Sequence, residues 1–168
     1  MIDEWTFGLF YERTKRSLWL YVARMMRDDG LADDIFQEAY IRFLQSNVEL
    51  KSESQMKSYL YRITTNLMRD HWRKLKRDRR WFTSETEEPQ IQRSVDMDLR
   101  HDLTEALQHL VPQQRAMVWL AYVEEYTHKE IAQMLTLREK SVKVLLYRAK
   151  QKLREIFKHR NITPEVLT

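Results

Sequence analysis

The sequence predicts an all-α protein of two small helical domains joined by an acidic, flexible linker, with the second domain a helix-turn-helix. Three observations carry this prediction. Only two glycines and three prolines occur in 168 residues, whereas sheets closed by tight hairpins draw on Gly, Asn-Gly and Asp-Gly to reach positive φ. Apolar residues recur at helical spacing over most of the chain. One stretch, residues 80–97 (RWFTSETEEPQIQRSVDM), breaks that spacing with Pro89, clustered acids and small polar residues.

Taken in order, Phe7, Phe10, Leu18, Val22 and Met25 mark an early helix, and Leu31, Ile35, Phe36, Ala39 and Phe43 a second. Met56, Leu60, Ile63 and Leu67 then line a basic helix over residues 54–80. These three or four helices form a first domain, residues 1–79, and the acidic stretch 80–97 is a linker that could reach roughly 60 Å when extended. In the second domain, residues 98–168, Leu103, Leu107 and Leu110 mark a helix, and Pro112 suits the first position of the next, where its missing N–H costs nothing. Two Thr-x-x-Glu sequences follow, Thr127 with Glu130 and Thr136 with Glu139, each able to form a capping box. They imply a two-turn helix, a tight break near Thr136 and a long helix over residues 137–160, the outline of a helix-turn-helix.

Charge is segmented along the chain. Asp28 to Ile41 holds five acids and no Lys or Arg; Arg69 to Arg80 holds seven basic residues against two acids, a net of +5. Arg138 to Arg160 holds nine against two, a net of +7, and Thr83 to Leu99 five acids against one Arg, a net of −4. In the last helix, Val142, Leu145, Leu146, Ala149 and Leu153 fall on one side and Lys140, Lys143, Tyr147, Lys150 and Arg154 on the other. A recognition helix needs this division, because it must anchor to its own domain while its outer face neutralises phosphates and its first turns reach base edges. A solvated Lys-rich face would show the same stripe; the paired caps and the net charge favour DNA.

The earlier basic helix sets Arg62, Thr65, Arg69, Arg73 and Lys76 opposite its apolar stripe, with Tyr61 and Trp72 at the border. Cations interleaved with aromatics suit unpaired strand, where the cations track the backbone and the rings stack on bases. Half-buried amphipathic side chains would read the same way. On the acidic helix, Asp33 and Asp34 are expected near its start, complementing the helix dipole, with Asp34, Gln37 and Glu38 on one exposed face.

Chemistry is what the sequence lacks. No cysteine is present, so neither a disulfide nor a thiolate metal site can form. The five histidines are scattered without HExxH spacing, and there is no glycine-rich phosphate loop or nucleophile elbow. No catalytic residue, metal or cofactor is expected. The apolar runs Leu18–Ala23 and Met117–Val123 fall far below the ~20 residues that span a bilayer, so membrane insertion is not expected and the protein is placed in the cytoplasm.

The segments ADDIFQEAYIRFL (Ala32–Leu44), SYLYRITTNLMRDHWRK (Ser58–Lys74) and LVPQQRAMVWLAYVEEYTHKEIAQML (Leu110–Leu135), in this order and spacing, resemble bacterial RNA polymerase sigma factors of the extracytoplasmic function (ECF) group. The resemblance implies a non-catalytic subunit that binds core RNA polymerase, directs it to promoter DNA as duplex and as melted strand, and is held by an anti-sigma factor. Asp34, Gln37 and Glu38 fall on the family's polymerase-docking motif. Asn66, Asp70 and Arg73, with Tyr61, Arg62, Arg69 and Trp72 around them and Lys76 one turn on, fall on the minus-ten helix, and the loop within Ser46 to Lys57 on the base-capturing pocket. Arg138, Lys140, Ser141 and Lys143, with Tyr147 on the same stripe and Arg148 on the backbone, would read the minus-thirty-five element, and the linker would thread polymerase channels. One run departs from the family: Lys140-Ser141-Val142-Lys143-Val144-Leu145 stands where a Gly-Thr-Val-Lys-Ser-Arg-like run is usual, so that a Ser and an Arg give way to apolar residues. The alternative is a helix-turn-helix regulator that binds duplex without polymerase; a helical protein-interaction adaptor is a third reading.

Overall fold

The computed structural model describes residues 2–81 and 99–159, and every regular element among them is a helix. The chain divides into two compact units, Met1–Gln92 and Arg93–Thr168. The first holds α1 (Glu4–Met26), α2 (Asp29–Gln45) and α3 (Glu53–Trp81); the second holds α4 (Leu99–Gln108), α5 (Pro112–Tyr122), α6 (His128–Leu135) and α7 (Glu139–His159). α3 continues through Trp81, into the stretch read from sequence as linker, and the rest of that stretch lies outside the described residues.

The start of α1 and the corner between α1 and α2 are both set by local chemistry. Asp3 caps α1, accepting from the Thr6 N–H at 2.9 Å and the Thr6 hydroxyl at 2.6 Å, and these donors hold its carboxyl below the usual aspartate range. α1 stops at Arg27, whose left-handed φ of 60° lets its N–H return to Ala23 O, and Asp28 at once caps α2 by accepting from Leu31 N–H at 2.9 Å. A non-glycine residue in this conformation costs on the order of 1 kcal/mol. The corner bears that cost because it brings two long apolar faces together within two residues.

What those faces bury is largely aromatic. Phe10 stacks on Phe43 with centroids 5.2 Å apart, and Tyr40 meets Tyr11 at 4.9 Å and Phe36 at 5.0 Å. Thr14 donates to Phe10 O at 2.7 Å, so its single proton is used and the Tyr40 hydroxyl, 2.7 Å away, is the donor between them. Burial pushes the Tyr40 phenol up to about 12. α3 closes the unit: Leu60, Tyr61, Thr64, Thr65 and Met68 are buried, and Arg13 meets Glu53 at 2.6 Å where α3 begins.

In the second unit α5 starts with Pro112 at its first turn, as its position in the sequence predicts. Arg115, although only 8% exposed, is satisfied by carbonyls at the end of α4, donating to Leu107 O at 3.0 Å and Leu110 O at 3.2 Å. The guanidinium thus caps α4 from a neighbouring helix. Before α6 the capping box forms as expected, with Thr127 N–H donating to Glu130 at 2.7 Å and Glu130 N–H donating to the Thr127 hydroxyl at 3.3 Å. The second expected box does not form. Thr136 ends α6 in the left-handed conformation, φ 56°, and α7 begins only at Glu139. Glu139 is therefore the first residue of its helix, where a capping box requires the third.

Candidate nucleic-acid interface

α3 is amphipathic because its apolar residues are spaced to bury one side while its cations fall on the other. Arg62, Asn66, Arg69 and Arg73 stand at i, i+4, i+7 and i+11 and so share a ridge, with Lys76 beside it. Arg62, Arg73 and Lys76 are exposed, and Asn66, Arg69 and Trp72 are half-buried at its flank. Asp70 lies 3.8 Å from Arg73 at the exposed end.

Two residues expected on or beside this ridge are elsewhere. Tyr61 is 0% exposed, its ring packed 5.3 Å from that of Tyr21. Thr65 is buried too; its hydroxyl donates to Tyr61 O at 2.7 Å and accepts from the Tyr21 hydroxyl at 2.9 Å. At 100° per residue Thr65 lies about 40° from Tyr61 and about 20° from Lys76, between the two, so it sits on the boundary between faces. The packing of α1 against α3 draws it inward. Tyr61 is thus a core residue here, and stacking on a base is open to Trp72 but not to Tyr61.

The connection before α3, residues 46–52, presents Asn47, Val48, Glu49 and Lys51 to solvent. Ser52 ends it by accepting from Gln55 N–H at 3.2 Å, while the Gln55 side chain takes Lys51 N–H at 2.9 Å, a reciprocal cap that sets where α3 starts. On α2, Asp34 and Gln37 are exposed and Glu38 meets Arg42 at 2.6 Å. Asp33 does not serve the helix start, which lies at Asp29; it accepts from the Trp19 indole at 2.7 Å and ties α2 to α1. Asp34 likewise lies beyond the first turn. The dipole role belongs to Asp28 and Asp29.

α7 buries Val142, Leu146, Ala149, Leu153 and Phe157. Arg138, Lys140, Lys143, Tyr147 and Arg148 are exposed, and Ser141 is half-buried in the first turn. Lys150, expected on the outer stripe, is instead half-buried with its ammonium 4.8 Å from the centre of the Tyr122 ring, a cation–π contact that turns it toward α5. Sequence periodicity missed Arg115, whose role depends on carbonyls of another helix, and it missed the outward place of Val144, 49% exposed among these cations.

No helix of the described residues is long and apolar enough to cross a membrane. The family profile described as Sigma-70 region 2 matches residues 10–78, covering most of α1, all of α2 and nearly all of α3. That described as Sigma-70, region 4 matches residues 100–153, from α4 into α7. Among curated relatives, the chain is 28% identical to the ECF RNA polymerase sigma factor SigX of Bacillus subtilis, over 98% of this chain and 88% of that one. It is 29% identical to the RNA polymerase sigma factor CarQ of Myxococcus xanthus, over 81% and 80%. The fold is similar to that of the sigma factor RpoE in complex with the anti-sigma factor NepR from Bartonella quintana, with a TM-score of 0.72, 21% identity and coverage of 90% of this chain and 96% of that one. It is also similar to CnrH in complex with the cytosolic domain of CnrY, with a TM-score of 0.68, 19% identity and coverage of 94% and 90%. With a region 2 unit built around the acidic α2 and basic α3, followed by a region 4 helix-turn-helix, the chain belongs to the ECF group of RNA polymerase sigma factors.

Proposed function

We propose that this protein binds core RNA polymerase in the cytoplasm, directs it to specific promoters and stabilises the opened minus-ten region, with no catalytic step of its own. The observation that carries this is the order of three surfaces: the acidic face of α2, the cationic ridge of α3, and the helix-turn-helix whose α7 divides into a buried and a basic face. In the division of labour proposed, residues 1–79 dock polymerase and handle the minus-ten element, residues 98–168 read the minus-thirty-five element, and residues 80–97 link them.

Asp34, Gln37 and Glu38 dock the polymerase: two are exposed, and the pair of Glu38 with Arg42 is a surface contact worth under about 1 kcal/mol that a basic partner can displace. Arg62, Asn66, Arg69, Arg73 and Lys76 follow the backbone of the opened strand, and Trp72 offers a ring to an unpaired base. Arg138, Lys140, Ser141, Lys143, Tyr147 and Arg148 meet the duplex, α7 lying in the major groove. An anti-sigma factor is the third partner, in keeping with the complexes in which structurally similar sigma factors are found. A regulator acting without polymerase is not favoured, because the match to region 2 gives the first unit a polymerase-related role that such a regulator would not need.

The test is reconstitution. The purified chain added to core polymerase and fragmented DNA of its own genome should yield transcripts from discrete start sites. The double variant Arg69→Glu, Arg73→Glu should bind core polymerase normally and lose at least tenfold in open-complex formation. Absence of promoter-dependent transcripts with the unaltered chain, or full melting by the double variant, would overturn the proposal.

A further inference from the structure

The outer face of α7 carries an apolar tip among its cations. At 100° per residue, Lys140, Val144, Tyr147 and Gln151 fall within about 60° of one another, opposite the buried Val142, Leu146, Ala149 and Leu153. Val144 is 49% exposed and Tyr147 63% exposed, with exposed Lys140, Lys143 and Arg148 around them. An exposed valine adds nothing to the stability of its helix, since β-branching lowers helix propensity and the side chain is not packed away from water.

What it can contact on a duplex is narrowly defined. Phosphates and the hydrogen-bonding groups of base edges would lose water against a valine and gain no partner. Among the groups a base pair presents in the major groove, the C5 methyl of thymine is the apolar one. Val144 is the sixth residue of α7, one turn beyond Lys140, within the part of a recognition helix that reaches base edges. We propose that Val144 is a specificity-determining residue that reads a thymine methyl in the upstream duplex element, with the Tyr147 ring covering the contact from one turn further on and Lys140 and Lys143 holding the flanking backbone. This rests on the assignment of α7 to the duplex under the proposed function. It turns the departure at residue 144 from a lost contact into a different one.

The full chain bound to core RNA polymerase is used to select duplexes from a pool randomised over the upstream element, and the enriched duplex is remade with deoxyuridine in place of thymidine at one position at a time. Deoxyuridine keeps base pairing and removes only the methyl. One such replacement should weaken binding about three- to fivefold, as expected for losing one buried methyl contact. The same replacement should have no effect on Val144→Ser, whose exposed position leaves the helix intact, as far-ultraviolet circular dichroism would verify. Equal binding of every deoxyuridine duplex by the unaltered protein, or a uracil penalty that persists in Val144→Ser, would overturn the inference while leaving the proposed function standing. Enrichment of no upstream duplex at all would overturn both.

Discussion

Tyr40 shows how one buried hydroxyl makes the first unit depend on pH. Its phenol has an ordinary value of 10.0, raised by burial to about 12 in the folded protein. The neutral form is the one the fold favours, so its stabilising contribution is whole below pH 10 and is lost as pH rises from 10 toward 12, where the unfolded chain ionises first. Thermal unfolding followed across that window should show the unaltered protein losing stability more steeply than Tyr40→Phe; parallel curves would show that Tyr40 does not couple folding to pH. Tyr61 makes a related point about function. Its sequence neighbours Arg62 and Trp72 mark it as a strand-contacting aromatic, yet its packing on Tyr21 makes it part of the support beneath the cationic ridge.

The two Thr-x-x-Glu sequences, alike in composition, have opposite roles at the scale of the element. Thr127 precedes its helix by one residue and completes a box with Glu130, whereas Thr136 closes the same helix at φ 56°. Thr127→Ala should therefore destabilise the second unit by about 1 kcal/mol. Thr136→Gly should stabilise it by about 0.5 kcal/mol or more, because glycine enters the left-handed region without the steric cost a β-branched residue bears. Chemical denaturation of the two variants checks both signs, and a loss of stability in Thr136→Gly would contradict the C-cap assignment. The break between α6 and α7 is thus made by backbone conformation at Thr136, followed by a first turn of α7 in which Arg138 O receives Ser141 and Val142 N–H at 2.9 and 3.1 Å. That short turn is what aims the first residues of α7 outward.

At the scale of the whole molecule, the surfaces proposed for polymerase docking and for DNA occupy different helices, and so should be separable by mutation. Asp34→Arg combined with Gln37→Arg should weaken core polymerase binding at least tenfold, measured with purified components, because an acidic face would become a basic one. Lys140→Glu combined with Lys143→Glu should leave that affinity unchanged and reduce holoenzyme binding to upstream duplex, with a shallower salt dependence as phosphate contacts are lost. Equal losses in both assays from either pair would contradict the division of labour. The formal charge of +4 is small; binding strength comes from how the charges are segregated among helices.

Much of this is legible in the sequence itself. Periodicity marks α1, α2, α3, α4 and α7, and Pro112 and the Thr127–Glu130 box mark the starts of α5 and α6, because each of these signals acts over four residues or fewer. Charge segregation marks the two basic helices as nucleic-acid elements, and the resemblance of three segments in their order and spacing carries the family and the function. Tertiary structure decided what lies on the boundary between faces or depends on another helix: the inward turn of Tyr61 and Thr65, the capping of α4 by Arg115, the tie of Asp33 to Trp19, and Lys150 on Tyr122. A residue on a face boundary can turn either way at little local cost, so the helix that packs beside it chooses. Val144 is a different case: it lies opposite the buried Val142 and Leu146 rather than on a boundary, and once that face packs against the unit's core its apolar side chain is left 49% exposed.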